Sequence, residues 1–227
     1  MKTPTYLRIS SLRRARQGGN EMIEFALSCT LLIPLLLWTF INGFNLIRMN
    51  ECQQISRDIA NQYIHGVDYS TYQAQTVAAR LAQGFSLQIG SSFTGSEASN
   101  SSNGGNVYIL LSEIMYVGTG TCASANPCTN QNKYVFVQQI GFGNSSLQFN
   151  STQVSSKLGS MTASVSSGGY VQNILTATGA VCSNCSNYFQ TQLTDGQVAY
   201  VVEAFFANPG LSFSAYPAGG IYVATFM

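Results

Sequence analysis

Six cysteines and one histidine are the residues with which this chain of 227 could do redox, metal or nucleophilic chemistry. Cys182 and Cys185 form Cys-x-x-Cys within VCSNCS, and Cys122 and Cys128 flank ASANP. In an exported chain such cysteines favour disulfides, and of the three ways to pair four of them the local one leads: Cys122 with Cys128, Cys182 with Cys185. A four-thiolate zinc site is the alternative, although the Cys122–Cys128 spacing is loose for a tetrahedral set. A thioredoxin-like redox role for Cys182 and Cys185 is weaker, because no βαβ pattern surrounds them. Cys29 lies in an apolar run and reads as a packing residue. Cys52 falls in a helical seam.

A Ser-His-Asp arrangement would have to use His65, which stands at an expected helix end and reads as a capping or solvated histidine. Asp58 and Asp68 lie near it in sequence and read as solvated on helix and turn surfaces. Glu97, Glu113, Asp195 and Glu203 are scattered without a pairing pattern, and Glu203 within VVEAFF is expected to point outward from a half-buried strand. GSSFTGSEAS lacks the Gly-Lys-Ser/Thr ending of a phosphate loop. The expectation is therefore a protein that is not an enzyme, with no cofactor and no metal.

Charge and hydropathy point elsewhere. A net charge of +1 argues against a nucleic-acid partner, which selects a basic face. Five of the ten basic residues (Lys2, Arg8, Arg13, Arg14, Arg16) precede Gly18, and from Asn20 onward five basic residues face nine acidic ones. Such asymmetry marks a targeting segment. Between Glu24 and Arg48 run 23 uncharged residues, FALSCTLLIPLLLWTFINGFNLI. About 20 suffice to span a bilayer core as a helix. With basic residues before the run and none immediately after Arg48, a cytoplasmic leader and an exported body are expected. The run is too long for an ordinary secretory signal, and no Ala-x-Ala-like site follows it.

The stretch G19-N-E-M-I-E24-F25 resembles the prepilin-peptidase site of type IV pilins and pseudopilins. In that family cleavage follows a Gly ahead of the apolar segment, and a Glu is the fifth mature residue. A cut after Gly19 makes Asn20 first and Glu24 fifth. Together with Phe25, Pro34 inside the apolar run and the following MNECQQISRDIANQYI, the pattern is similar to TadE-type minor pilins of tight-adherence systems. The resemblance covers about 45 residues, Gly19 to Ile64. It implies a prepilin peptidase, other pilins or pseudopilins and the assembly platform as partners, together with membrane lipid. It also implies that Glu24 pairs with the Asn20 amine of a neighbouring subunit. A charge in hydrocarbon costs several kcal/mol unless it is paired.

These residues require elements to hold them. The organisation expected is a basic leader (1–19), a transmembrane and amphipathic stalk helix (20–65) and an exported α+β head (66–227). Past Arg48 the helical period continues through Cys52, Ile55, Ile59 and Tyr63. One helix from about Met22 to Ile64 would be about 65 Å long, kinked or loosened at Pro34 and stopped at His65-Gly66. Ser70 to Gln73 reads as a capping box for a second helix with Ala74, Val77, Ala78, Leu81 and Phe85 on one face. Residues 90–106 form a low-complexity loop. Four segments rich in β-branched and aromatic residues, 107–118, 133–142, 197–206 and 221–226, read as strands, with a turn at Asn208-Pro209-Gly210. Residues 143–196 give poor signals, with a short helix near Tyr188. The fold class expected is α+β, helices on a mainly antiparallel sheet. Four Asn-x-Ser/Thr sequons (Asn100, Asn144, Asn150, Asn184) suggest a polar, exposed head.

The function this implies is a minor pilin held in a bacterial inner membrane by one span, its head exported, taking part in pilus assembly for attachment or secretion. The rival is a bitopic surface adhesin with an uncleaved signal anchor. An anchored hydrolase is disfavoured by the lone histidine.

Overall fold

The structure, a computed structural model, describes residues 10–84, 89, 105–123, 127–144, 156–166, 168–189, 193–206 and 221–227. The Asn208-Pro209-Gly210 turn, Phe85, Glu97, Asn100, Asn150 and nearly all of the 90–106 loop lie outside the described residues. The chain divides into two compact units, Met1–Arg48 and Met49–Met227. The first element, helix α1 (Ser10–Ile64), supplies residues to both.

In the first unit α1 begins earlier than expected, at Ser10 instead of Met22, and its helical backbone passes through Gly18 and Gly19. Each glycine disfavours helix by about 1 kcal/mol relative to alanine; the Leu-, Arg- and Ala-containing residues before them are good helix formers and offset this. From Glu21 the helix is long and apolar enough to cross a membrane. Its polar side chains turn back on its own carbonyls. The Thr30 hydroxyl donates to the Ala26 carbonyl at 2.8 Å, that of Thr39 to Leu36 at 2.8 Å, and the Asn42 amide to Trp38 at 2.7 Å. Such bonds satisfy these three side chains within the helix, as hydrocarbon requires. Helical geometry is unbroken across Pro34, so the proline does not divide α1.

The second unit starts with the last turns of α1, which stop where expected. Gly66 takes φ +83°, its N–H bonds the Tyr63 carbonyl at 3.0 Å, and the Val67 N–H bonds Gln62 at 3.1 Å. This double bond around a left-handed glycine satisfies the terminal carbonyls. Helix α2 (Tyr72–Gly84) opens differently from the expected box. The Asp68 carboxylate accepts from the Ser70 N–H at 2.9 Å, the Thr71 hydroxyl donates to the Asp68 carbonyl at 2.7 Å, and the Thr71 carbonyl takes the first N–H, from Gln75. The buried face also shifts. Ala74, Gln75, Ala78, Ala79 and Ala82 are inside, whereas Val77 is 50% exposed. Tyr69, stacked on Phe142 at 5.7 Å, fills the neighbouring core, so methyl groups fit there better than larger side chains.

The four strands expected all form: β1 (Val107–Val117), β2 (Lys133–Gly143), β3 (Val198–Phe206) and β4 (Ile221–Phe226), every pair antiparallel, in the order β2-β1-β3-β4. The α+β class is as expected, with helices on the sheet. Alternation sends Val107, Ile109, Leu111, Val202, Ala204 and Phe206 toward Cys52, Ile55 and Ile59 of α1 and the alanines of α2. Each fully buried Leu or Ile contributes about 1.5–3 kcal/mol. The opposite face is covered too. Leu158, Cys182, Cys185 and Phe189 pack there against Ile114, Phe136, Ala199 and Val201. The segment that supplies this third layer, residues 156–189, also packs Val171 and Ala180 against Met115, Val117 and Val135 on the helix-facing side, and it has little regular structure beyond turns of tight helix at Thr178–Ala180 and Cys185–Asn187, the latter just before Tyr188. Asn144 corrects the picture of exposed sequons: it is buried, and its amide donates to Gly105 at 2.7 Å.

Candidate functional site

Two places hold the residues singled out from the sequence. The first is α1 in the Met1–Arg48 unit. Gly19 and Asn20 lie within its helical backbone, and Asn20 and Glu24 are separated by one turn. Glu24 and Phe25 are exposed, Phe25 at 72%, as are Leu27, Leu31, Leu32, Ile33, Leu35, Leu36, Leu37 and Trp38. At about 1.5–3 kcal/mol per large apolar side chain, leaving this surface in water costs tens of kcal/mol. Lipid or other helices are surroundings that would remove this cost. The geometry can therefore do membrane insertion or lateral helix packing, with one carboxylate at the edge of the apolar surface.

The second place is the disulfide-bearing part of the head. Cys122 is bonded to Cys128 and Cys182 to Cys185, with Cα–Cα separations of 5.7 and 5.4 Å. The first closes the connection between β1 and β2; the second packs beneath Ile114 and Phe136. With the sulfurs so joined, the thiolates of the zinc alternative are consumed. Cys52 is buried in the α1 seam, and Cys29 lies on α1 within the apolar run. His65 ends α1, its Nδ1–H donating to the Asn61 carbonyl at 2.7 Å.

Two carboxylates take roles that the sequence did not reveal. Asp195 reaches across 77 positions to the short helix α3 (Thr119–Cys122). It accepts from the Gly118 N–H at 2.6 Å, the Thr121 N–H at 3.0 Å and the Thr121 hydroxyl at 2.5 Å. The Thr121 hydroxyl, then the backbone N–H groups, hold its carboxyl below the usual range. Glycine is needed at both 118 and 120, where a Cβ would lie 2.5 Å from Asp195 Cγ and 2.7 Å from its Oδ2. The signals for this were GTGT after a strand and Asp-Gly before one, neither diagnostic alone.

Glu203 corrects a clear expectation. It is 1% exposed, not outward-facing, because the 156–158 segment covers that face of β3. Its carboxylate accepts from the Ser156 hydroxyl at 2.5 Å, from the Lys157 N–H at 2.9 Å and from the Tyr222 hydroxyl. Burial, then the neighbouring Glu203, raises Tyr222 far above its ordinary value, and the Lys157 ammonium sits 5.1 Å from that ring. Glu203 thus pins the third layer and β4 to the central strand.

No protein-family model, curated protein or solved structure matches this chain.

Proposed function

We propose that the chain is a TadE-like minor pilin of a tight-adherence system, without enzymatic activity. The precursor sits in the bacterial inner membrane with residues 1–19 in the cytoplasm, a prepilin peptidase cuts after Gly19, and the mature helix joins other pilins or pseudopilins at the assembly platform. The observation that carries this reading is the exposed apolar surface of α1 that runs on from the Gly19…Glu24-Phe25 motif. A surface of that kind is stable in lipid and equally stable among like helices, which lets a subunit pass from one to the other. The carboxylate of Glu24 is tolerated there if cleavage supplies the Asn20 amine of a neighbour as its partner. Two disulfides support an oxidising compartment, hence an exported head.

Mass spectrometry of the protein purified from its native membrane tests the reading. Asn20 is expected as the first residue; a retained Met1 would overturn it in favour of a bitopic adhesin whose helix is only an anchor. Glu24→Ala should still be processed but fail to assemble. Normal filaments from that variant would remove the role given to Glu24.

A further inference from the structure

On the helix-facing side of the sheet, strand register lines up four residues in one row. Glu113 of β1 stands opposite Gln138 of β2 and Tyr200 of β3, and Gln138 pairs in turn with Tyr170. Directly opposed residues point to the same face. Tyr63, from the last turn of α1, closes over the row. Its ring meets that of Tyr200 edge-on at 5.1 Å, and its hydroxyl donates to Gln138 Oε1 at 2.6 Å. Gln138 also donates to the Gly168 carbonyl at 2.7 Å, so its amide is satisfied at both ends.

Glu113 is different. It is half-buried, and among the described residues no hydrogen bond or ion pair reaches its carboxylate. Burial raises the Glu113 carboxyl above the ordinary range. In turn its charge adds to the burial that raises Tyr63, Tyr170 and Tyr200, and Asp68 adds further negative field at Tyr63 and Tyr170. A half-buried carboxylate without a counter-charge is unfavourable, and a cation arriving from outside relieves that. The way in is open: Tyr170 is 46% exposed, and Tyr200 is partly exposed.

We propose that Glu113, with Tyr63, Tyr170 and Tyr200 around it, is a receptor for a primary alkylammonium group, the end of a lysine side chain presented by a partner protein. Tyrosine faces attract cations through their ring quadrupoles. The carboxylate and phenol oxygens accept hydrogen bonds from the three N–H donors of a protonated primary amine, which a quaternary ammonium lacks. Charge balance agrees: residues 49–227 carry four basic side chains against seven acidic ones.

The test uses the full chain in detergent micelles with n-butylammonium as probe, n-butanol as its neutral counterpart and tetramethylammonium as a cation without donors. Saturation-transfer NMR should show saturable binding of n-butylammonium and none of n-butanol. Tetramethylammonium should bind more weakly than n-butylammonium. Glu113→Gln should weaken binding about tenfold. Tyr170→Ala, which removes an exposed ring, should also weaken it. Asp58→Asn, a change of charge on α1 outside the row, should leave it unaltered. Equal binding by wild type and Glu113→Gln, equal binding of tetramethylammonium, or no preference over n-butanol would each overturn the proposal.

Discussion

Replacing Glu203 by Gln tests the most consequential difference between the expected and observed head. The substitution preserves size but places an amide N–H₂ where one carboxylate oxygen accepted hydrogen bonds. Three donors converge on that carboxylate: the Ser156 hydroxyl, the Lys157 N–H and the Tyr222 hydroxyl. Hydrogen bonds to a charged group contribute about 1.5–3 kcal/mol each, and a buried donor left without a partner costs about 1–3 kcal/mol. The glutamine oxygen can keep one or two of the three, and the Ser156 hydroxyl can rotate. The expected loss is therefore about 2–4 kcal/mol, a large share of the 5–15 kcal/mol typical of a domain. An outward-pointing glutamate would instead change stability by less than about 0.5 kcal/mol. The assay is urea unfolding of the full chain with disulfides intact, followed by near-ultraviolet circular dichroism of the tyrosines. The one tryptophan, Trp38, lies in the apolar run of α1 and does not report on the head. Tyr222→Phe removes one donor and should be milder, about 1–2 kcal/mol. Because Tyr222 and Glu203 touch, the double variant should fall short of additivity by at least about 0.5 kcal/mol. A Glu203→Gln midpoint within error of wild type, or strict additivity, would refute the pinning role.

The other expectations concern the acid limb, the disulfides and processing. Asp195 titrates below its unfolded value of about 3.9, so its contribution is fully present above that pH and is lost as pH falls through the lower folded value. Melting curves of wild type and Asp195→Asn should therefore differ at neutral pH and converge below about pH 4; a gap that widens in acid would contradict this. Opening the Cys122–Cys128 or Cys182–Cys185 loop by paired alanines should cost about 2 kcal/mol each from chain entropy. The second should lose more, because Cys182 and Cys185 are 4% and 0% exposed and their sulfurs fill core volume; denaturant midpoints decide the order. Glu24→Ala should yield the same mature N-terminus as wild type by mass spectrometry while sedimenting without filaments.

Some features could be read along the chain because their causes are local. The helix stop at Gly66 needs only φ > 0 and two bonds within six residues. The four strands were legible because alternation and β-branched residues act over one strand. Other readings failed where a distant element intervened. Helix α2 buried its alanines because Tyr69 and Phe142 already filled the space that Val77 would have needed.

The sequence by itself determined the apolar span, the helix stop at Gly66, the strand segments and cysteine spacings short enough to close within single turns. These follow from hydropathy, backbone sterics and periods of two or 3.6 residues. Tertiary structure alone decided the order β2-β1-β3-β4, the burial of Glu203, the reach of Asp195 to α3 and the row that sets Glu113 beneath Tyr63. The physical reason is the third layer. Residues 156–189 pack on both faces of the sheet, Leu158, Cys182, Cys185 and Phe189 on one and Val171 and Ala180 on the other, with almost no periodicity of their own, so no local pattern announces which side chains they will cover.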